Sequence, residues 1–556
     1  MSQPVPAIQF HPDGYALDTP HLMGRQAAGN AFLRAAVEGR GDQPLTAVTV
    51  SQRGADVFTR LVQGLDAAAS TRWVPADRPD LLAHVGGIYL PDPNLARAAN
   101  MRLRTGPGAY SITGVTHTTA SHAAMDHITS MLAAPVMPWD ALICTSTAVG
   151  STVRLLLERQ RDYLRWRFGS SITLTLPQLP IIPLGVHCAD FDFHAGEREA
   201  ARKSLGIAEG EVVALFVGRL SFHAKAHPHA MYAGLAEAVR RSGKAVTLLQ
   251  CGWFANSHIE GAFKDGLAQF GREVRGLFAD GRDPATRRRC WASADLFISL
   301  SDNIQETFGL TPLEAKAAGL PVVVTDWDGY RDTVRDGIDG FRIPTWMPPA
   351  DLGEVFARSH EADMVTYDMY CGETCQAVSV DGAALADRLT ALVTDRDLRL
   401  RMGAAGRHHA REAFDWAIIW RRYRMLWWEL ERIRQSTALP QTSAPRSAPA
   451  RPDPFAAFGH YPTEQVLPQT LVFPGNHAEP QTVFDSLSQH ALFRYADRII
   501  PLASEVESII RGLAGRVDGR AIQDLTVESG IALPRCVMVV AVLAKMGLVR
   551  LSKGIG

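Results

Sequence analysis

The sequence has few cysteines, no excess of charge of either sign and no long apolar run. Its 556 residues include 7 Cys and carry a formal net charge of −1. An odd, scattered set of cysteines is not expected to form a disulfide framework, and it favours a reducing compartment. The neutral balance gives no electrostatic reason to expect nucleic acid as the main partner. The longest apolar run, 536–544, is about half as long as a membrane span.

Two further signals are missing. The start, MSQPVPAIQF, lacks the basic and apolar regions of a secretion signal, so we expect a cytoplasmic protein without a transmembrane segment. The stretch CGETC, with Cys371 and Cys375, has no second Cys or His pair nearby. It is interpreted as two ordinary thiols rather than as half of a zinc site.

Short apolar runs alternate with longer amphipathic stretches twice along the chain. The first series occupies 1–185 and includes LTAVTV (45–50), and the second occupies 186–412 and includes VVALFVG (212–218). Such alternation predicts a parallel sheet covered by helices on both faces. Two series in succession therefore predict an α/β protein with two doubly wound, Rossmann-like lobes facing a cleft.

The rest of the chain divides into three parts. Residues 413–434 predict one closing helix, whose tryptophans are interpreted as packing anchors. The stretch 435–454 is rich in proline and predicts a semi-extended linker. Residues 455–556 are expected to form a small, mostly α accessory domain, in which 519–552 predicts helix, turn, helix and strand, as in winged-helix folds.

A winged-helix-like domain raises the alternative of a DNA-binding regulator. Its second helix, LPRCVMVVAVLAKMG, is charged only at Arg535 and Lys545. This is too little positive charge to attract a DNA duplex. We therefore expect no nucleic-acid partner. Core packing, a homo-oligomer contact or a protein partner through 485–556 is the expected role.

The stretch QETFGLTPLEAKAAGLPVVVT (305–325) carries the signals of a helix start. Thr311 suits the N-cap, Pro312 the first helical position and Glu314 the third, which is the pattern of a capping box. That pattern gives no role to Glu306. A helix N-terminus at the carboxyl end of a parallel strand can bind an anion, and carboxylates beside it suit hydroxyl-rich groups. Phosphate flanked by two polyols indicates a nucleotide sugar.

The spacing of Glu306 and Glu314 resembles the E-x7-E signature of retaining glycosyltransferases of family 4, which have the GT-B fold. LFVGRL followed by Lys225, and then DGIDGFRIPT (336–345), resemble other motifs of that family in the same order. TGVTHT (113–118) resembles the histidine segment of its first lobe. The resemblance covers about 20–434 and is carried mainly by 212–345.

The resemblance implies a role for each matching residue. Arg219 and Lys225, next to Gly218, would hold the donor diphosphate and neutralise its charge as the glycosidic bond breaks. Glu306 would contact the hydroxyl groups of the donor sugar, and Glu314 those of the ribose.

Other matching residues would surround the sugar. His117 would face it from the first lobe. The loop LMGRQAAGNAF (22–32) would place Gly24 and Arg25 near the acceptor. The remaining donor-binding positions are expected at Phe308, Gly309, Leu310 and Thr311.

The sequence also departs from the family pattern. Lys225 is followed by AHP rather than glycine, and His117 by threonine rather than an acidic residue. These departures leave the sugar and the acceptor undefined. Asp190 and Asp192 spell the DxD metal motif of a different glycosyltransferase fold. They lie at the end of the segment that connects the two lobes, IIPLGVHCADF (181–191). They are interpreted as a solvated turn, so no metal ligand is expected.

The sequence is thus expected to encode a hexosyltransferase that uses a nucleotide diphosphate sugar, retains the anomeric configuration, and needs neither metal nor other cofactor. Its acceptor is a glycan, lipid or protein. Unlike a glycosidase, it needs no carboxylate pair acting as nucleophile and acid. The alternatives are a GT-B nucleotide-sugar epimerase or hydrolase, disfavoured by the E-x7-E spacing, or a non-catalytic binding or regulatory protein that uses its C-terminal domain.

Overall fold

The computed structural model describes residues 5–15, 24–438 and 444–552, with Gly24 and Arg25 described by their backbone alone. The chain divides into two compact units, Met1–Ala448 and Pro449–Gly556. The division falls inside the stretch expected to be a linker. The limits proposed for the individual domains stay predictions.

The first lobe is a six-stranded sheet with the order β3-β2-β1-β4-β5-β6, and all of its pairings are parallel. Its strands are β1 (Ala7–Gln9), β2 (Leu45–Thr49), β3 (Thr71–Pro75), β4 (Gly87–Tyr89), β5 (Ser111–Val115) and β6 (Ala141–Ile143). Its helices are α1 (Gly24–Gly39), α2 (Gln52–Leu65), α3 (Pro79–Val85), α4 (Leu95–Arg102), α5 (His122–Ser130) and α6 (Thr147–Phe168).

The second lobe repeats this plan with the strand order β12-β11-β10-β7-β8-β9, again with parallel pairings. Its strands are β7 (Val212–Val217), β8 (Val246–Gly252), β9 (Arg275–Asp280), β10 (Leu296–Ser299), β11 (Val322–Thr325) and β12 (Gly340–Ile343). Its helices are α7 (Ala195–Ser204), α8 (His229–Ser242), α9 (Ser257–Phe270), α10 (Pro284–Ser293), α11 (Leu310–Ala317) and α12 (Tyr330–Thr333).

The central strands of both sheets are covered on both faces. Every residue of β5, β7, β8 and β10 is buried, which explains why these strands are near-continuous apolar runs rather than alternating ones. The prediction of two doubly wound α/β lobes, the GT-B arrangement, is confirmed.

Beyond β12 the chain leaves the sheet and returns. β13 (Thr345–Trp346) and β14 (Ser379–Val380) form a two-stranded antiparallel ribbon. Between them lie α13 (Glu354–Glu361) and α14 (Tyr367–Gln376). The chain then continues into α15 (Gly382–Thr394) and α16 (Arg396–His409), and a π-helical turn over Ala410–Phe414 leads on.

The long helix α17 (Trp416–Ser436) packs back onto the first lobe. The ring of Phe32 lies 5.7 Å from Trp420 and 5.6 Å from Tyr423, measured between centroids. Trp416, Trp420 and Trp427 are buried, and the Trp420 indole donates a 3.0 Å hydrogen bond to the carbonyl of Gly39. The interpretation as packing anchors is confirmed for these three tryptophans, whereas Trp428 on the same helix is 50% exposed.

The second unit has its own apolar core. Its helices are α18 (Pro454–Ala457), α19 (Pro480–Gln489), α20 (Ala491–Arg494), α21 (Ala503–Leu513), α22 (Ile522–Ser529) and α23 (Leu533–Lys545). Its strands β15 (Leu471–Pro474), β16 (Arg520–Ala521) and β17 (Val549–Ser552) form an antiparallel sheet with the order β16-β15-β17. The order α22, α23, β17 confirms the expected helix, turn, helix and strand.

Among the described residues, no single helix is long and apolar enough to cross a membrane. The pair α22 and α23 passes such a test only when taken together, and the two helices are bent by 111° from each other. All seven cysteines are free and buried.

A fully buried ion pair stabilises the first lobe, which yields a testable prediction. Arg102 and Asp140 have no exposed side-chain surface and are joined by two contacts of 2.7 Å, and Asp140 also accepts from the backbone of Ile112 and Met137. Arg102→Ala leaves a buried carboxylate without its partner, so it is expected to lower the free energy of unfolding by about 3–5 kcal/mol. Calorimetry measures this loss.

The control is Arg78→Ala, which removes an exposed pair with Asp80 in the same lobe. An exposed pair contributes little, so this variant should unfold like the parent protein. Equal unfolding temperatures for the two variants would show that the buried pair does not stabilise the lobe.

Candidate functional site

The two loops that carry the predicted charges meet at one edge of the second sheet. β7 and β10 are parallel neighbours, with Leu215 opposite Phe297. The chain runs outward from β7 through β8 and β9 and then crosses to β10 on the other side. Ligands of doubly wound sheets bind at such a switch point, outside the carboxyl ends of the strands. The loop after β7 carries Arg219 and Lys225, and the loop after β10 carries Glu306.

Lys225 and Glu306 form an ion pair across these loops. Their side chains are only 22% and 10% exposed. Burial acts to raise the pKa of Glu306, but the charge and hydrogen bond of Lys225 outweigh it and hold that pKa below its ordinary value. Glu306 is therefore an ionised carboxylate next to a cation.

The guanidinium of Arg219 is held by its surroundings. It donates to the side-chain oxygen of Gln305 at 2.6 Å and to the carbonyl of Ala224 at 3.0 Å. Gly218 precedes it and donates from its backbone to the carbonyl of Cys251 at 3.1 Å. Arg219 thus sits beside the Lys225–Glu306 pair in a fixed position.

The predicted capping box at Thr311, Pro312 and Glu314 is wrong. Helix α11 begins at Leu310, and its N-cap is Gly309 with φ 81°. A Cβ at Gly309 would lie 2.0 Å from the ring of Tyr330, so only glycine allows the chain to turn into the helix there. The helix therefore starts two residues earlier than the sequence signals suggest.

The first residues of α11 form the helix end at which an anion is expected, and anion binding there stays a prediction. The early N–H groups of a helix have no partner within it and lie at the positive end of its dipole. Phe308 and Gly309 are buried, and Leu310 and Thr311 are half-buried beside them. The structure thus brings the predicted residues 308–311 next to Glu306.

Glu314 lies one turn into α11 and cannot serve as a cap. Its side chain is half-buried. Burial raises the pKa of its carboxyl to about 7, and the charge of Arg287 offsets part of that rise. Glu314 is therefore a carboxyl whose charge state changes near neutral pH.

The first lobe contacts the same loop from the other side of the cleft. The Thr307 hydroxyl donates to the carbonyl of His117 at 2.7 Å. The Ser146 hydroxyl, at the N-cap of α6, lies 2.8 Å from the carbonyl of Thr307. His117, predicted from the sequence, is thus directly joined to the loop that carries Glu306.

Asp328 is a candidate site residue that the sequence reasoning missed. Its carboxyl lies 3.1 Å from the Ser146 hydroxyl, and its backbone has φ 43°. Burial, together with the nearby charge of Glu306, raises its pKa to about 7. The Asp-Gly step at 328–329, in the loop after β11, is the only sequence signal for this turn. Asp332, farther along, accepts from the backbone of Thr147 at 2.5 Å.

The acceptor-side prediction lies at the edge of the described residues. Gly24 and Arg25 begin α1, as the predicted loop-to-helix order requires. Their side chains, and Leu22 and Met23 before them, lie outside the described residues. The assignment of Gly24 and Arg25 to the acceptor side stays a prediction.

Asp190 and Asp192 lie on a 3-10 turn over Cys188–Phe191 and the residue after it. Asp190 pairs with Arg34 at 2.7 Å, and Asp192 pairs with Arg411 at 2.6 Å. These carboxylates are therefore engaged by arginines. Within the described ranges, no group of three or more His, Cys, Asp or Glu side chains is arranged to hold a metal ion.

Solved structures with similar backbones were found. Anabaena HepE in complex with UDP and glucose matches at a TM-score of 0.45 and 17% identity, over 73% of this chain and 96% of that one. Sucrose-phosphate synthase from Thermosynechococcus elongatus matches at 0.46 and 17%, over 77% and 99%.

Curated relatives match part of the chain. A D-inositol 3-phosphate glycosyltransferase from Nocardia farcinica is 31% identical over 243 residues, 43% of this chain and 45% of the relative. A phosphatidyl-myo-inositol mannosyltransferase from Mycobacterium leprae is 32% identical over 138 residues, 25% of this chain and 27% of the relative. The chain spans about half the length of the first of these relatives.

The family model of glycosyl transferases group 1 matches residues 197–354. This range contains the carboxyl ends of β7 and β10, the Lys225–Glu306 pair and the N-terminus of α11. The chain is therefore similar to the group 1 glycosyl transferases over residues 197–354.

Proposed function

We propose that the protein transfers a hexosyl group from a nucleotide diphosphate sugar to an acceptor hydroxyl, with retention of the anomeric configuration, as in glycosyltransferases of family 4. One observation carries the proposal. Arg219, Lys225 and Glu306 converge beside the N-terminus of α11, at the switch point of a parallel sheet. Two cations and a helix N-terminus suit a diphosphate, and the carboxylate suits sugar hydroxyl groups.

The ion pair explains how donor binding would prepare the site. Before binding, Lys225 and Glu306 neutralise each other. A donor diphosphate competes with Glu306 for Lys225, and the released carboxylate can then accept hydrogen bonds from the sugar. Arg219 is already oriented by Gln305, so it neutralises the charge that develops on the phosphate as the glycosidic bond breaks.

Retention follows when the acceptor attacks the face from which the phosphate departs. The bond between the anomeric carbon and the phosphate oxygen breaks, and the acceptor oxygen forms the new bond through an oxocarbenium-like state. The departing phosphate oxygen takes the proton of the acceptor hydroxyl. His117 faces the sugar from the first lobe, and Glu314 holds the ribose. No carboxylate nucleophile is required.

The acceptor and the partners belong to the same proposal. The acceptor hydroxyl, on a glycan, lipid or protein, enters from the first-lobe side near α1. The second unit supplies a homo-oligomer or protein contact rather than a donor-site residue. The seven free cysteines support a reducing, cytoplasmic location.

The first prediction is that the donor-site charges carry the reaction while the fold survives their loss. Arg219→Ala, Lys225→Ala and Glu306→Ala are each expected to lower turnover about a hundredfold or more. Turnover is measured with a panel of UDP-, GDP-, ADP- and dTDP-sugars, after a thermal-shift screen has selected the donor that binds.

The control is Lys264→Ala. It removes an exposed pair with Glu260 on α9 of the same lobe and should leave turnover within about twofold. Near-parent turnover of Glu306→Ala on the selected donor would contradict the assignment of the sugar contact. A parent chain that binds no nucleotide sugar would contradict the proposed function.

The second prediction concerns metal ions. Since Arg219, Lys225 and the N-terminus of α11 neutralise the diphosphate, turnover is expected to survive EDTA unchanged. The same assay with added manganese should give no increase. Activity that disappears with EDTA and returns with manganese would instead assign a metal site, for which Asp190 and Asp192 are the first residues to replace.

The third prediction concerns the second unit. Its core lies wholly within 449–556, and the cores of the two lobes lie wholly before it. A chain that ends at Ala448 is therefore expected to stay soluble and to bind the donor within about twofold of the parent. The oligomeric state or transfer to the native acceptor should change instead, because a linked unit raises the local concentration of its partner. Calorimetry measures donor binding, and size-exclusion chromatography measures solubility and the oligomeric state. Aggregation, or loss of donor binding, would place the second unit within the catalytic body.

A further inference from the structure

Residues 347–378 leave the second sheet and return to it, and we call this segment the clasp. Its base is closed by the ribbon in which Thr345 pairs with Val380 and Trp346 with Ser379. The family match ends at residue 354, so α14 and its contacts lie beyond it. Because the ribbon holds the two ends of this segment together, the segment is a folded element and not an extended loop.

The clasp packs on the loop that carries the donor-site cations. Cys371, Gly372 and Cys375 form the buried face of α14. A Cβ on Gly372 would lie 3.0 Å from the Cβ of His223, so α14 approaches this loop closely and a larger residue there would crowd His223. The Cys375 thiol lies 3.9 Å from the carbonyl of Phe222. Both contacts fall between Arg219 and Lys225 in the sequence.

The clasp also reaches across the cleft to the first lobe. The Tyr367 hydroxyl lies 3.1 Å from the Thr118 hydroxyl, and Thr118 directly follows His117. The rings of His360 and His122 lie 3.7 Å apart between centroids, at 42°. The clasp therefore contacts both lobes on either side of the candidate site.

Helix α14 connects these two sets of contacts. Tyr367, its first residue, meets Thr118 of the first lobe, and Gly372 and Cys375 farther along meet the Arg219–Lys225 loop. A path of direct contacts thus runs from Thr118 through α14 to the loop that carries Arg219.

We propose that the clasp ties the Arg219–Lys225 loop to the first lobe, with Tyr367 as a positioning residue that holds this loop through α14 when the lobes are together. Lobe separation, which lets donor and product exchange, must break the contact between Tyr367 and Thr118. The orientation of Arg219 is thereby coupled to the position of the first lobe. The kinetic part of this inference rests on the proposed function, whereas the structural link does not.

The test is Tyr367→Phe in the full chain, which removes one oxygen and keeps the ring. Without any donor, hydrogen exchange is expected to become at least about threefold faster in 115–122 and 219–227, on both sides of the lost contact. Two controls should leave both segments unchanged. Tyr163→Phe makes the same chemical change on the exposed surface of α6, and Met369→Ala changes the solvent face of α14.

The kinetic readout distinguishes positioning from simple support. With the selected donor, Tyr367→Phe is expected to lower kcat about fivefold, as for the loss of one hydrogen bond, while the donor Kd stays within about twofold.

Each result decides one part of the inference. Unchanged exchange in both segments would overturn the clasp, whether or not the chain transfers sugars. Faster exchange with parent-like kcat would overturn the positioning role of Tyr367. A parent chain that binds none of the nucleotide sugars would refute the proposed function and the kinetic role, and exchange alone would then judge the link between the lobes.

Discussion

The half-buried ion pair between Lys225 and Glu306 is the interaction on which the candidate site depends. Each charge lies where water is scarce, so each needs the other, and removing one partner leaves the second charge poorly solvated. The pair joins the loops after β7 and β10 and holds them in place without a ligand. A diphosphate that binds Lys225 takes the place of the Glu306 carboxylate as the anionic partner of Lys225. The site can therefore stay ordered in both states.

The pair can exist because of the strand order. Both loops leave the sheet at the carboxyl ends of adjacent parallel strands, although Lys225 and Glu306 are far apart in the chain. The apolar strands fix this edge, and the glycine at 309 lets α11 begin within it. The N-terminus of the helix, the cations and the carboxylate are thus placed by backbone geometry.

Much of this fold could be predicted from the sequence because its central strands are short apolar runs. The edge strand β3 was not predicted, since its Arg72 and Trp73 are exposed and break the apolar pattern. The start of α11 was predicted two residues too late. The capping signals at Thr311 and Glu314 are local, whereas the true start depends on the ring of Tyr330, which leaves room only for a glycine at position 309.

The candidate site was predicted where a motif marks it and was missed where only tertiary contact does. Glu306 and Lys225 stand in recognisable patterns, whereas the contact of Asp328 with Ser146 joins residues far apart in the sequence. The contact of Tyr367 with Thr118 has the same character. Neither local propensity nor spacing carries information on which distant side chains will meet when two lobes close.

The two lobes meet around the site through several small polar contacts. Thr307 with His117, Ser146 with Thr307, and Thr147 with Asp332 are single hydrogen bonds. Each contributes modestly, so the lobes can separate and return. The helix α17 meanwhile keeps them in one unit, because four of its aromatic side chains are buried in the core of the first lobe: Trp416, Trp420, Tyr423 and Trp427.

A crystal structure of the full chain grown in turn with UDP, GDP and ADP tests the central claim most directly. The account predicts one diphosphate at the N-terminus of α11, within hydrogen-bonding distance of Arg219 and Lys225, with the contact between Lys225 and Glu306 opened. A nucleotide bound away from the edge formed by β7 and β10, or a diphosphate bound while that ion pair stays closed, would contradict it.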